Sequence, residues 1–80
     1  MRAFFTDPEG FTADLCMFLN GKTVRLRYRD PQGKILLESL HASWRNALDN
    51  LSVVMPNGIN DLTRQPLRDV IREGASAAVR

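Results

Sequence analysis

Three kinds of side chain in this sequence could do chemistry, and spacing decides what each is able to do. Cys16 is the single cysteine and His41 the single histidine. A thiolate nucleophile needs a base within about 3 Å. The strands assigned below place these two residues on the second and fourth members of a meander, roughly 10 Å apart at two strand spacings, so no dyad is expected. Cys16 then reads as a small packing residue beside Arg25, and His41 as a hydrogen-bonded residue just ahead of a helix. Metal binding needs three or four converging ligands, and the sequence offers no such spacing. It also lacks a Gly-rich phosphate loop followed by Lys and Ser or Thr, a Gly-x-Ser-x-Gly elbow and a dinucleotide fingerprint. The expectation is a protein that is not an enzyme and takes neither metal nor cofactor.

The arginines are the third group, and their spacing is the most regular in the chain. From Lys22 to Arg29 apolar and basic residues alternate one for one. Successive side chains of a strand project to opposite sides, so Val24, Leu26 and Tyr28 share one face, and Arg25, Arg27 and Arg29 share the other. A second basic row, Arg64, Arg68 and Arg72, is spaced i, i+4, i+8 with Asp69 and Glu73 beside it. That row reads as a solvated helix face. It does not read as a DNA-recognition helix, because the connection from Met55 to Leu62 is too long for a helix-turn-helix.

Turn chemistry sets the elements that must carry these residues. Asp7-Pro8-Glu9-Gly10 and Asp30-Pro31-Gln32-Gly33 are one turn written twice: Pro presets the second position, Asp bonds its own backbone, and Gly accepts the left-handed fourth position. Both fit a three-residue hairpin loop with a glycine bulge. Asn20-Gly21 between them is a two-residue hairpin signal. The three turns imply strands over residues 2–6, 11–19, 22–29 and 34–41, joined as an antiparallel meander.

Register follows from the turns. The Asn20-Gly21 turn sets Met17 opposite Val24, Leu15 opposite Leu26 and Ala13 opposite Tyr28, all apolar. On the other face Cys16 meets Arg25, Asp14 meets Arg27, and Phe18 meets Thr23. The first turn adds Ala3 and Phe5 to the apolar face, and Arg2 and Phe4 to the Arg face. The third turn pairs Asp30 with Lys34, which turns Glu38 inward along with Leu36 and Leu40. A one-residue slip would instead bury Ile35 and Leu37 and set Glu38 beside Arg25. Both registers stay open for the fourth strand.

From Ser43 the hydrophobic period changes to 3.6. Trp44, Leu48, Leu51 and Met55 form a stripe, Ser43 is a suitable N-cap, and Pro56 with Asn57-Gly58 ends the segment, which predicts a helix over 43–55. A second helix is predicted over 63–74, with Thr63 as cap, Pro66 in the first turn and Leu62 and Leu67 as a hydrophobic staple. Its stripe is Leu67, Val70, Ile71 and Ala78. Gly74 should end it and leave 75–80 as a frayed tail. The expected fold is α+β, a four-stranded antiparallel meander with two helices on one face. The expected core is Phe5, Leu15, Met17, Val24, Leu26, Tyr28, Trp44, Leu48, Leu51, Val70 and Ile71. Two short helices cover one sheet face only, so the Arg face is left open.

Eighty residues make one domain, 1–80, with a small core. Residues 1–40 hold six basic and five acidic side chains and residues 41–80 hold five and four, so neither half is a polyelectrolyte tail. One cysteine excludes an internal disulfide and suits a reducing compartment. The apolar run near the N-terminus is too short for a signal peptide, and no stretch approaches the ~20 apolar residues of a membrane span. A cytoplasmic protein with no membrane contact is expected.

The order set by Asp7 to Gly10, Asn20-Gly21, Asp30 to Gly33 and Ser43-Trp44, four strands and then two helices, resembles some small phage-encoded anti-CRISPR proteins. That resemblance lies in element order over the whole chain. It implies a stoichiometric inhibitor or adaptor that occludes a protein subunit of a nucleic-acid-handling complex, and carries over no functional residue. The residues themselves point the same way: Arg25, Arg27, Arg29, Phe18, Phe4 and Asp14, with Ile35 and Leu37 nearby, have the mixed composition of a protein interface. The competing reading is a nucleic-acid surface with Phe4 and Phe18 stacking bases; the near-neutral charge and Asp14 oppose it. A solvated face with arginines paired to Asp14 and Glu38 is the plainest reading. The chain is expected to be a monomer or a homodimer joined through edge strands near 2–6 or 34–41.

Overall fold

The computed structural model describes residues 1–77. Four strands, β1 (Arg2–Thr6), β2 (Thr12–Met17), β3 (Val24–Arg29) and β4 (Ile35–His41), precede helix α1 (Trp44–Val54). A two-residue strand β5 (Ile59–Asn60) and helix α2 (Leu67–Ala77) follow. The sheet order is β4-β3-β2-β1-β5, antiparallel throughout. This is an α+β fold built on the expected meander. No helix among the described residues is long and apolar enough to cross a membrane.

The two Asp-Pro-x-Gly turns form as their residues dictate. Asp7 Oδ1 accepts from the N–H groups of Glu9 and Phe11, and Asp30 Oδ1 from those of Gln32 and Lys34. Gly10 and Gly33 take φ of 93° and 89°, a region open to glycine at no steric cost. The Asn20-Gly21 connection departs from a two-residue turn. Gly21 has φ of 71° but Asn20 is not left-handed, so the type I′ geometry, which needs both, is absent. Gly21 N–H donates to Phe18 O and Phe18 N–H to Thr23 O, which closes a four-residue loop of the same register. The β2–β3 ladder therefore pairs Met17 with Val24, Leu15 with Leu26 and Cys16 with Arg25, and β1 pairs Phe5 with Ala13 and Ala3 with Leu15.

The fourth strand follows the turn register only at its start, and neither expected register holds beyond it. Asp30 N–H donates to Lys34 O and Arg29 lies opposite Ile35, as the turn requires. A bulge between Tyr28 and Arg29 then sets Tyr28 opposite Leu37 and Arg27 opposite Glu38. One extra residue in β4 moves everything after it to the other face. Leu37 turns to the core side but stays 38% exposed, Ile35 remains on the Arg face at 45%, and Glu38 leaves the core side and meets Arg27 rather than Arg25.

The core comprises Phe5, Ala13, Leu15, Val24, Leu26, Ala47, Leu48, Leu51, Met55 and Leu67, with Met17, Tyr28, Trp44, Val70 and Ile71 half-buried against it. Phe11, also packed there, stacks on Tyr28 with ring centroids 5.6 Å apart. Helix α1 touches β2, β3 and β4, and α2 packs on α1 and β5. Ser43 caps α1 as expected, its Oγ accepting from Asn46 N–H at 3.1 Å.

Helix α2 begins at Leu67, four residues later than 63. A residue before proline is pushed out of the α region, so Gln65 cannot be helical ahead of Pro66. It pairs with Asn60 instead, accepting that residue's N–H at 2.8 Å. Thr63 Oγ1 caps only Gln65 N–H, and Leu62, 91% exposed, is no staple. Arg64 takes φ of 64° in this turn, so the expected row of Arg64, Arg68 and Arg72 is broken. Only the latter two lie on α2, where Arg72 approaches Asp69 at 3.8 Å. Gly74 does not end the helix, which runs through 75–77 to Ala77 in place of the expected frayed tail; Ala78 and residues 79–80 lie outside the described residues. Because β5 pairs with Phe5 and Thr6, the outer side of β1 is open only toward its start. The outer edge of the meander is β4.

Candidate functional site

The ladder registers arrange the Arg face in three rows across β1 to β4. Arg2, Cys16, Arg25 and Leu40 form one, Phe4, Asp14, Arg27 and Glu38 the next, and Thr6, Thr12, Arg29 and Ile35 the third. Directly opposed residues of antiparallel strands share a face, so these twelve side chains make one surface. Asp14 sits near its middle with only 12% of its side chain exposed, and its Oδ1 accepts from Arg29 Nη1 at 3.2 Å. Arg27 donates through Nε to Glu38. That bond holds the Glu38 carboxyl below the usual carboxylate range, with the Arg27 charge adding to it.

Two of the three ladder arginines are thus neutralised within the face. Arg25 is the exception. Its Nε is buried and has no hydrogen-bond partner, and the guanidinium forms no ion pair among the described residues. Arg2, exposed two strands away, is equally unpaired there.

A concavity of about 510 Å³ opens on this face. Its floor is the arginine ladder with Asp14 and Phe4, and Arg2 and Ala3 lie along β1. Its far wall is the β5 turn, from Asn60 through Asp61 and Leu62 to Thr63. The turn is held by hydrogen bonds: Asn60 Oδ1 accepts from the N–H groups of Leu62 and Thr63, and Asp61 N–H donates to Phe4 O at 2.8 Å. Of the residues expected to bind a partner, Arg25, Arg27, Arg29, Phe4 and Asp14 line this hollow. Phe18 does not. It lies past the end of β2, 39% exposed, on the same side of the sheet.

Arg2, Asn60, Asp61, Leu62 and Thr63 are additional lining residues that sequence reasoning did not select as site residues. The β5 wall carries no periodicity, since a two-residue strand has none, but Asn57-Gly58 and Asn60-Asp61 around Ile59 were the available turn signal.

Cys16 and His41 are on opposite sides of the sheet. Cys16 shares a row with Arg25, whereas His41 pairs with buried Val24 and shares a hydrogen bond of 2.7 Å with Ser39 Oγ. They cannot form a dyad. Among the described residues no three His, Cys, Asp or Glu side chains are grouped to hold a metal.

No family model, no curated protein and no solved structure matches this chain.

Proposed function

We propose that the chain is a non-catalytic protein-binding module that uses the Arg face to occlude a partner's surface, as a small stoichiometric inhibitor or adaptor of the anti-CRISPR kind acting in the cytoplasm. The observation that carries this reading is the hollow between the ladder and the β5 turn. Its cations are largely balanced by Asp14 and Glu38, and its surroundings present Phe4, Phe18, Ile35, Leu40 and Leu62, each at least 39% exposed. Aromatic and Arg anchors ringed by apolar and polar groups suit a protein interface. A nucleic-acid surface needs unopposed positive charge along the backbone path, and three carboxylates, Asp14, Glu38 and Asp61, interrupt it here.

The test is affinity capture from host extract with the native chain and with Phe4→Ser/Arg25→Glu. A protein retained at fixed stoichiometry by the native chain should be lost from the variant, with the thermal midpoint of the two nearly equal. Retention by the variant would remove the face from the function. Oligonucleotide binding at micromolar protein that weakens steeply with added salt would favour the nucleic-acid reading instead.

A further inference from the structure

We infer that the hollow is a site for one carboxylate, an aspartate or glutamate side chain of a protein partner, held by Arg25 with support from Arg2. This rests on the Arg face being the protein-binding surface, and adds which chemical group the partner presents. The site holds four arginines, but their charges are not equivalent. Arg27 is bound to Glu38 and Arg29 to Asp14, so neither can take a new anion without giving up a carboxylate it already has. Arg25 and Arg2 have none among the described residues.

They stand at the two ends of the Arg2-Cys16-Arg25 row. Two strand spacings, roughly 10 Å, separate their backbones, and the residue between is a short cysteine, so two arginine side chains are long enough to converge over it on one group. Arg25 carries a further sign of an incomplete site, since its buried Nε donates to nothing. Buried polar groups are ordinarily paired. Turned outward over Cys16, the guanidinium would free that Nε and present it with one Nη side-on to a carboxylate, the bidentate geometry Arg favours.

The walls select the kind of anion. A hollow of about 510 Å³ has the size of a small-ligand site, and Phe4 and the outward Leu62 offer apolar contact to whatever bears the charge. Asp14 and Asp61 line the hollow with Arg25 and Arg2, and Glu38 lies on the same face. One isolated carboxylate meets only Arg25 and Arg2, whereas the successive phosphates of a nucleic-acid strand must also pass those acids. The balance favours a single acidic side chain on a protein.

The experiment follows backbone amide and Arg Nε–Hε signals of the full chain by NMR during titration with a capped tripeptide holding one glutamate between two leucines. The glutamine analogue, inorganic phosphate and a short oligothymidylate serve as separate arms. The glutamate peptide should give saturable shifts at Arg25, Arg2, Phe4 and Asn60 with a Kd of ~1 mM or tighter. Arg25→Gln should weaken it about tenfold or more and Arg2→Gln by about two- to fivefold. Both variants should keep the amide spectrum of the fold. No saturable shift, equal shifts from the glutamine peptide, or tighter binding of phosphate or oligothymidylate at Arg25 would each overturn the assignment. The two readings fail separately. If the peptide does not bind but Phe4→Ser/Arg25→Glu still loses the captured protein, only the carboxylate assignment falls; if capture survives that variant, the interface itself is elsewhere.

Discussion

Gly58 is where the site's wall is fixed to the core, and Gly58→Ala should loosen both. Gly58 is buried just after the end of α1, where its N–H donates to Met55 O at 3.0 Å and its carbonyl accepts from Leu67 N–H at 2.8 Å. A Cβ added there would lie 2.9 Å from Met55 Sδ, 3.0 Å from Met55 Cγ and 3.2 Å from the Met55 carbonyl oxygen. The sulfur could swing aside on a surface residue, but Met55 is fully buried. The carbonyl is held by its bond to Gly58. Overpacking of this sort costs about 1–3 kcal/mol, and each kcal/mol lowers the midpoint of a domain this small by about 4–8 °C.

Urea and thermal unfolding of Gly58→Ala, Met55→Ala and the double variant measure this directly. Met55→Ala alone should cost about 2–5 kcal/mol through the cavity it leaves. The double variant should be more stable than the two costs added together, by about 0.5–3 kcal/mol, because the clash and the cavity occupy the same space. Because the Gly58 carbonyl links β5 to the start of α2, the amides of Asn60 to Thr63 should also exchange faster in Gly58→Ala than in the native chain. An unchanged urea midpoint, or costs that simply add, would refute the claim that close packing on Met55 anchors this wall.

Two further outcomes follow from the packing and the charges. Leu51→Ala, at a site with no exposure, should cost about 2–5 kcal/mol, whereas Leu40→Ala, 61% exposed on the sheet edge, should stay within about 0.5 kcal/mol of native in urea unfolding. Glu38 is held below its ordinary value of 4.5 by Arg27, so its ionised form is favoured in the folded state; its contribution is present above 4.5 and is lost as pH falls through the lowered value. Glu38→Gln should therefore flatten the acid limb of a stability-versus-pH curve below about pH 5, by a small amount that high salt diminishes further.

What could be read from the sequence was whatever is decided locally. The two Asp-Pro-x-Gly turns, the β1–β3 register and the Ser43 cap depend on residues within a few positions of each other, and they formed as their side chains require. At Asn20-Gly21 the turn type changed but the register did not, because a four-residue loop from Leu19 to Lys22 closes on the same Phe18–Thr23 pair. The start of α2 at Leu67 also has a local cause: Pro66 suits a first helical turn but forbids helical backbone at Gln65. The β5 wall is different in kind. Ile59 and Asn60 become a strand only because β1 offers them an open edge, and nothing in their own pattern announces that.

The bulge in β4 links the core to the electrostatics of the site. If the turn register ran on unbroken, Glu38 would lie opposite Leu26 on the core face, and Arg27 would face Leu37. Burying a carboxylate against leucine is far more costly than one irregular residue in a ladder, so the extra residue is inserted and the strand turns over. The same inversion delivers Glu38 to Arg27 on the outer face. With Arg29 already taken by Asp14, that leaves Arg25 as the ladder cation without a carboxylate among the described residues. Thus the alternation of Arg25, Arg27 and Arg29 specifies three equivalent positions on a strand, and it is their neighbours on β2 and β4 that make them unequal. A substitution on the helix-facing side of β4 that moved the bulge would redistribute charge on the opposite side without touching an arginine.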